Sequence, residues 1–319
     1  MEDFNSMERS AKIMRNVIQK VPIPLCGVML GVAALGNLLK SYSESIRYVC
    51  GGIARILLVL VLLKLILFPG EIKEDLNNPV MASVSGTFSM SLMLLSVYAK
   101  PWIGTAAYGI WLSAIGLHII LILFFTAKFI IKLRLSEVFA SYYIVYVGIA
   151  AAAVTAPAYG KPVIGKSAFW FGLGSLLVLS VLITFRYIRY KEIPKPFKPL
   201  ICIYAAPVNL CIAGYLQSMT TKNNGFLLGM LAVASLLYIF ALVKAIAYLQ
   251  LPFYPSYASF TFPFVISATA AKETMIYFMD RGCPIPALPY VALAETVIAA
   301  VLVTYTLVRF LLFLFMRQN

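Results

Sequence analysis

Apolar runs of about 20 residues, uncharged or nearly so, recur along the whole chain and are separated by short clusters of Pro, Gly, Asn and charged residues. Crossing a hydrocarbon core of roughly 30 Å takes about 20 helical residues. The pattern therefore predicts an all-α integral membrane protein with ten transmembrane helices, near 22–39, 46–68, 79–98, 101–131, 138–158, 166–188, 199–221, 226–250, 257–279 and 286–316. The breaks carry turn chemistry: Phe68-Pro69-Gly70, Tyr159-Gly160-Lys161-Pro162, Asn223-Asn224-Gly225 and Asp280-Arg281-Gly282. None is long enough for a soluble domain. The expected organisation is a cytoplasmic segment over 1–21, one ten-helix transmembrane domain over 22–316 and a cytoplasmic tail over 317–319.

The odd and even helices differ in kind. Helix one opens Pro22-Ile23-Pro24 and continues through Gly27, Gly31 and Gly36. Helix three carries Ser83, Ser85, Thr87, Ser89, Ser91 and Ser96, and helix five ends Thr155-Ala156-Pro157 after a run of alanines that includes Ala152. Helix seven holds Ala206-Pro207 and helix nine Phe262-Pro263 with Ser267. Helices two and ten are instead rich in Leu, Val and Ile suited to lipid, with Phe310 among the bulky side chains. A proline inside a helix removes a backbone donor and bends the rod, which a membrane tolerates where neighbours or a wet cavity satisfy the freed carbonyls. Pro24, Pro157, Pro207 and Pro263 are the expected kinks. The alternation predicts an inner ring of odd helices, possible pore lining at Ser83, Thr87, Ala152 and Ser267, and an outer ring of greasy helices. The plainer reading is close packing of small residues, since Gly27-x-x-x-Gly31 is a familiar helix contact motif.

Composition agrees with the pattern. Of 319 residues 62% are hydrophobic and 12% charged, with a mean hydropathy of +0.91, against about 45–50% and about 25% in soluble domains. Lys and Arg divide unevenly between the two sets of loops: 15 fall on the side of the termini and 7 opposite. By the positive-inside rule both termini are cytoplasmic, in a multi-pass protein of the cell (inner) membrane. The net charge of +14 is mostly this bias spread over loops, so nucleic acid is not an expected partner. Residues 1–21 carry both signs and lack a signal-peptide cleavage site; they suit a short interfacial helix or a frayed tail.

The chemistry of an enzyme is missing. One histidine, His118, cannot build a triad or a multi-histidine metal site, and no Walker-type glycine loop is present. No metal and no cofactor are expected. The five cysteines show no C-x-x-C spacing, and only a Cys50–Cys283 disulfide is conceivable from their expected place at one face. Ionisable residues inside spans are costly. Lys272, Glu273 and Glu295 are therefore candidates either for intramembrane charge pairing or for coupling to a solute or proton.

These residues, in order, resemble the tellurite-resistance/dicarboxylate transporter family, which includes bacterial TehA-type proteins and the slow anion channels of plant guard cells. The likeness rests on Pro24 followed by Gly27 and Gly31, Asn78-Pro79-Val80, Ala205-Ala206-Pro207 and Thr261-Phe262-Pro263. Two positions depart from it: Val208 stands where a second proline is frequent, and Met81 where a basic residue is frequent. The resemblance implies five helical hairpins with the odd helices around a pore, a homotrimer with one pore per subunit, and an aromatic gate that matches Phe262.

The function expected is a passive channel for small monovalent anions such as chloride or nitrate, since a wall with few charges lets an ion leave. The alternative is a secondary transporter or exporter of dicarboxylate or tellurite-type oxyanions, for which Lys272, Glu273 and Glu295 would supply the binding and coupling groups. The expected partners are small inorganic anions, the lipid bilayer and further copies of the chain.

Overall fold

The computed structural model describes residues 14–315, and among these there is no β-strand. The interfacial-helix expectation for residues 1–21 and the tail at 317–319 lie largely or wholly outside them. Ten long helical segments follow one another: α1 (Leu25–Leu39), α2 (Glu44–Leu67), α3 (Pro79–Ile103), α4 (Thr105–Ile130), α5 (Tyr142–Tyr159), α6 (Pro162–Arg189), α7 (Lys195–Ser218), α8 (Asn224–Tyr248), α9 (Phe262–Asp280) and α10 (Leu288–Phe315). A short helix, Pro69–Asp75, connects α2 to α3. Eight of the ten are long and apolar enough to cross a membrane. The other two are α1, which is 15 residues long, and α9, whose second half carries Lys272, Glu273 and Asp280.

The odd helices are wrapped by the even ones. The most apolar stretches of α3, α5 and α7 are 72, 67 and 94% buried, while those of the even helices are 22–39% buried. Nearly every residue of α1 and most of α9 are enclosed as well. α1 packs on α3, α3 on α5, α5 on α7, α7 on α9 and α9 back on α1, so the odd helices close a ring. Each odd helix also packs against the even helix that follows it. The difference in composition has a direct cause: a helix enclosed on all sides needs small side chains for close approach, whereas lipid accepts bulky ones.

The ends of the rods are fixed by polar ties. On the face where α1 begins, here the near face, the Gln19 amide donates to Glu71 Oε1 at 2.7 Å and Lys128 Nζ to Asn77 Oδ1 at 2.5 Å. Arg186 donates there to the Ser136 carbonyl at 3.2 Å. On the far face Arg47 donates to Asn37 Oδ1 at 3.3 Å, Gln217 to Glu273 Oε1 at 3.0 Å, and Tyr277 to Asn224 Oδ1 at 2.8 Å. All five cysteines are free. Cys50 is buried under Gly36 of α1, and Cys283 is exposed.

Lys64, near the end of α2, is only 4% exposed. Its amine binds the Glu71 carboxylate and the Gln19 carbonyl, so its charge has partners where water is scarce. Hydrogen bonds from Lys64 first, then Gln19, hold the Glu71 carboxyl below the ordinary carboxylate range. A group with a lowered folded-state pKa adds stability at neutral pH that disappears as the pH falls through that folded value. Glu71→Gln should therefore lower the melting temperature in detergent at pH 7. The loss is about 1–3 kcal/mol, below the figure for a fully buried pair because Glu71 is half exposed. Between neutral pH and the acid side of the carboxylate range, the parent should lose more stability than the variant.

Candidate functional site

The four prolines expected to bend helices sit at joins rather than in α-helix interiors. Pro24 directly precedes α1, and Pro157 lies in the 3-10 turn that ends α5. α7 begins as an unusually long 3-10 stretch, Lys195–Ala205, and turns α-helical at Ala206, with Pro207 in the first α turn. Pro263 lies in the first turn of α9, after a 3-10 stretch over Pro255–Phe260. Proline suits these positions because a first-turn N–H has no partner inside the helix. Pro196 and Pro199 withhold further donors from the 3-10 stretch of α7 and set it apart from ordinary α-helix.

Two cavities lie inside the ring of odd helices. The near-face cavity, of about 120 Å³, is walled by Pro24, Pro207 and Pro263 with Thr87, Met81 and Val84. Among the described residues its wall carries hydroxyls, including Thr87 and Ser256, and no charged side chain. The far-face cavity, of about 410 Å³, is walled by Pro157, Val154 and Thr269 and holds the polar groups Asn37, Lys40, Arg47, Gln217 and Glu273. Among the described residues only Leu210 of α7 and Phe262 of α9 border both. The two cavities therefore meet at an apolar constriction made by these two side chains, and each cavity draws on every odd helix.

Phe262 is held from behind. Its neighbour Thr261 has an irregular backbone, φ −100° and ψ −93°, and a hydroxyl within hydrogen-bonding distance of the Gly27 carbonyl at 3.0 Å and the Ala258 carbonyl at 2.7 Å. Gly31 makes that approach possible. A Cβ there would stand 2.4 Å from Thr261 Cβ and 3.0 Å from the Phe262 nitrogen. Gly27 lies against Ala258, where a Cβ would be 3.2 Å from the alanine Cβ. The Gly27-x-x-x-Gly31 pair is thus a packing motif, as its plainer reading has it, and what it packs against is the segment that presents Phe262.

Of the four residues proposed as lining, only Thr87 borders a cavity. Ser83 donates to the Val80 carbonyl and lies 2.7 Å from Ser141 Oγ, Ala152 is fully enclosed, and Ser267 accepts from Asn209 Nδ2 at 2.8 Å. These three face neighbouring helices. Lys272, Glu273 and Glu295 are not joined to one another. Lys272 reaches the Leu38 carbonyl and Ser41, Glu273 takes the Gln217 amide, and Glu295 is buried with its Oε2 lacking a hydrogen-bond partner among the described residues. Glu273 alone of the three lies on the far cavity. His118 is fully buried, with Nε2 3.0 Å from the Val145 carbonyl and Nδ1 2.7 Å from Ser89 Oγ, and so joins α4 to α3 and α5. Leu210 went unremarked in the sequence because a leucine in an apolar helix carries no signal of its own. Lys40 and Arg47 registered only as loop charges.

This geometry makes cysteine scanning specific. Cysteines at Val84, Thr87, Val154 and Thr269 should react with a water-soluble thiol reagent, and ones at Ser83, Ala152 and Ser267 should be protected. Cysteines at the outward-facing Leu62 and Leu312 should be protected too, by lipid. Equal reactivity at all positions, read by mass spectrometry of the modified protein in vesicles, would exclude the two cavities as an aqueous path.

Among known families, the model for the voltage-dependent anion channel, SLAC1, matches residues 20–311. No curated protein sequence matches the chain.

Proposed function

The chain belongs to the voltage-dependent anion channel family, whose members are channels and transporters, and we propose that it is a passive channel for small monovalent anions such as chloride and nitrate, closed by Phe262. In this reading all ten helices cross the membrane as five hairpins, both termini are cytoplasmic and the odd helices line the path. Three copies assemble through part of the apolar outer coat. The observation that carries the reading is the meeting of the two cavities at Phe262 and Leu210. A phenyl ring in a narrow apolar neck excludes hydrated ions by dewetting. The basic residues Lys40 and Arg47 at the far mouth favour anions over cations, and the near cavity offers hydroxyls that attract an anion without trapping it.

A coupled carrier for dicarboxylates or oxyanions needs a charged binding pocket within the path, and among the described residues the near cavity has no charge with which to build one. The two readings separate in a planar bilayer holding the purified protein. Discrete, voltage-driven current steps that reverse at the chloride equilibrium potential are expected. Slow, proton-dependent uptake without unitary current would overturn the channel in favour of the carrier.

A further inference from the structure

Glu273 is out of place in an anion path. It projects from α9 into the far cavity, eleven residues beyond Phe262 and one helical turn beyond Thr269, which lines the same wall. Its Oε1 accepts from the Gln217 amide at 3.0 Å, while Oε2 is shielded from solvent and has no hydrogen-bond partner. An acid held this way is not an ion-pair residue. Of the nearby cations, Lys272 turns its amine to the Leu38 carbonyl and Ser41, and Lys100 gives its own to the Ala158 carbonyl. Lys40 and Arg47 lie on the cavity wall but pair with Glu44, each at 3.6 Å. From α5 the wall carries only uncharged residues, Thr155 and Pro157 among them. Lys222 and Arg281 both lie over the Tyr277 ring. Glu295 of α10 is buried and does not line this cavity.

We propose that Glu273 controls the charge of the far vestibule: its carboxylate lines the vestibule beside the basic residues Lys40 and Arg47, on the far side of the constriction at Phe262, repels anions when ionised, and admits them when protonated. The amide of Gln217 fixes one oxygen, and the free Oε2 is the atom that takes the proton. The far mouth then combines a rim that gathers anions with a single acid that limits their advance. Acidifying the far side removes that limit. The proposal rests on the reading of these cavities as an anion path, and it places a second, electrostatic control in series with the ring.

Local charge can be measured without relying on conduction. In a protein with the exposed Cys283 replaced by Ser, Thr269→Cys places a thiol on the vestibule wall. The ratio of its modification rates by an anionic and a cationic methanethiosulfonate of similar size reports the local potential. Glu273→Gln should raise the anionic-to-cationic ratio at neutral pH by about tenfold, as one unit charge a few ångströms away requires in a partly screened site. Acidifying the far side should raise the ratio in the parent and leave it unchanged in the variant. Lys40→Gln, as a control of sign, should lower it. A ratio unmoved by Glu273→Gln, or a pH response that survives it, would overturn the proposal. Chloride flux in a Phe262→Ala background supplies the functional arm and should rise on far-side acidification only while Glu273 is present. A Phe262→Ala protein that stays closed refutes the aromatic gate, whereas the thiol ratio still decides the role of Glu273.

Discussion

Phe262→Ala should raise resting anion conductance about tenfold or more. Among the described residues Phe262 and Leu210 alone border both cavities, so truncating the ring should join the near space to the far one. The barrier removed is the cost of taking an ion through an apolar neck without its water. Even 1.4 kcal/mol of that cost is a factor of ten in rate, and an unpaired polar group in an apolar site costs more than this. Burying phenylalanine in a tight core and then truncating it costs about 3–5 kcal/mol of stability. Phe262 has open space on two sides, so its loss should fall below that range and leave the protein folded. Phe310, which composition marks as a lipid-facing ring, is unsuitable as a control because it is fully buried with its ring centroid 5.1 Å from that of Phe253. Phe185 on α6 is 55% exposed and faces outward. Phe185→Ala should leave conductance unchanged. Unitary currents in planar bilayers, with monodispersity in detergent as the folding check, decide the matter: a Phe262→Ala protein as silent as its parent removes the ring from the path.

The parts of this molecule that a sequence can display are those governed by solvent. Lengths of apolar runs follow from the membrane's thickness, so the expected segments 79–98 and 226–250 fall on α3 and α8 with ends displaced by a few residues. The contrast between small-residue and bulky helices follows from what each touches, and the burial of α7 against that of α8 bears this out. Positions fixed by approach distances are different. Nothing in the string of letters distinguishes Thr87, which reaches a cavity, from Ser83 one turn earlier, which bonds towards α5. The prolines were visible, but their geometry was not. A 3-10 stretch of 11 residues before Pro207 depends on how α7 packs, and a local pattern reads the same residues as a bent α-helix. The intramembrane charges were expected to find each other or a solute. Lys272 instead gives its amine to the Leu38 carbonyl at the end of α1 and the Ser41 hydroxyl just after it, a contact between residues more than 200 positions apart that no local pattern encodes.

The two cavities also differ in what they ask of an ion. The far one is roomy and polar, with Lys40, Arg47 and Glu273 on its wall, and the near one is small and nearly apolar. On the proposed path, an anion arriving from the far side meets Lys40, Arg47 and the carboxylate of Glu273 before the constriction. Beyond the ring it meets hydroxyls and hydrocarbon. Met81 adds to this, for it lines the near cavity at the position where the resembling family frequently carries a basic residue. On the proposed reading, charge selection belongs to the far vestibule, and closure to the neck.

On the proposed reading, closure depends in turn on Gly31, which borders neither cavity. Gly31→Ala should open the path without altering Phe262 itself. The added methyl group would stand 2.4 Å from Thr261 Cβ and 2.6 Å from its hydroxyl oxygen, distances that real structures do not sustain. Thr261 cannot yield freely, because its hydroxyl sits against the Gly27 and Ala258 carbonyls. The strain is therefore relieved by moving the start of α9 away from α1, which carries Phe262 out of the neck. Overpacking of this kind costs about 1–3 kcal/mol, so a lower melting temperature is expected beside the higher conductance. The double variant separates the gate from mere loosening. If Gly31→Ala acts by displacing the ring, adding it to Phe262→Ala should raise conductance little further, since the ring is already gone and the two changes share one cause. Conductances that multiply in the double variant, or a Gly31→Ala protein that is less stable yet fully closed, would show that the ring keeps its place without the close approach of α1.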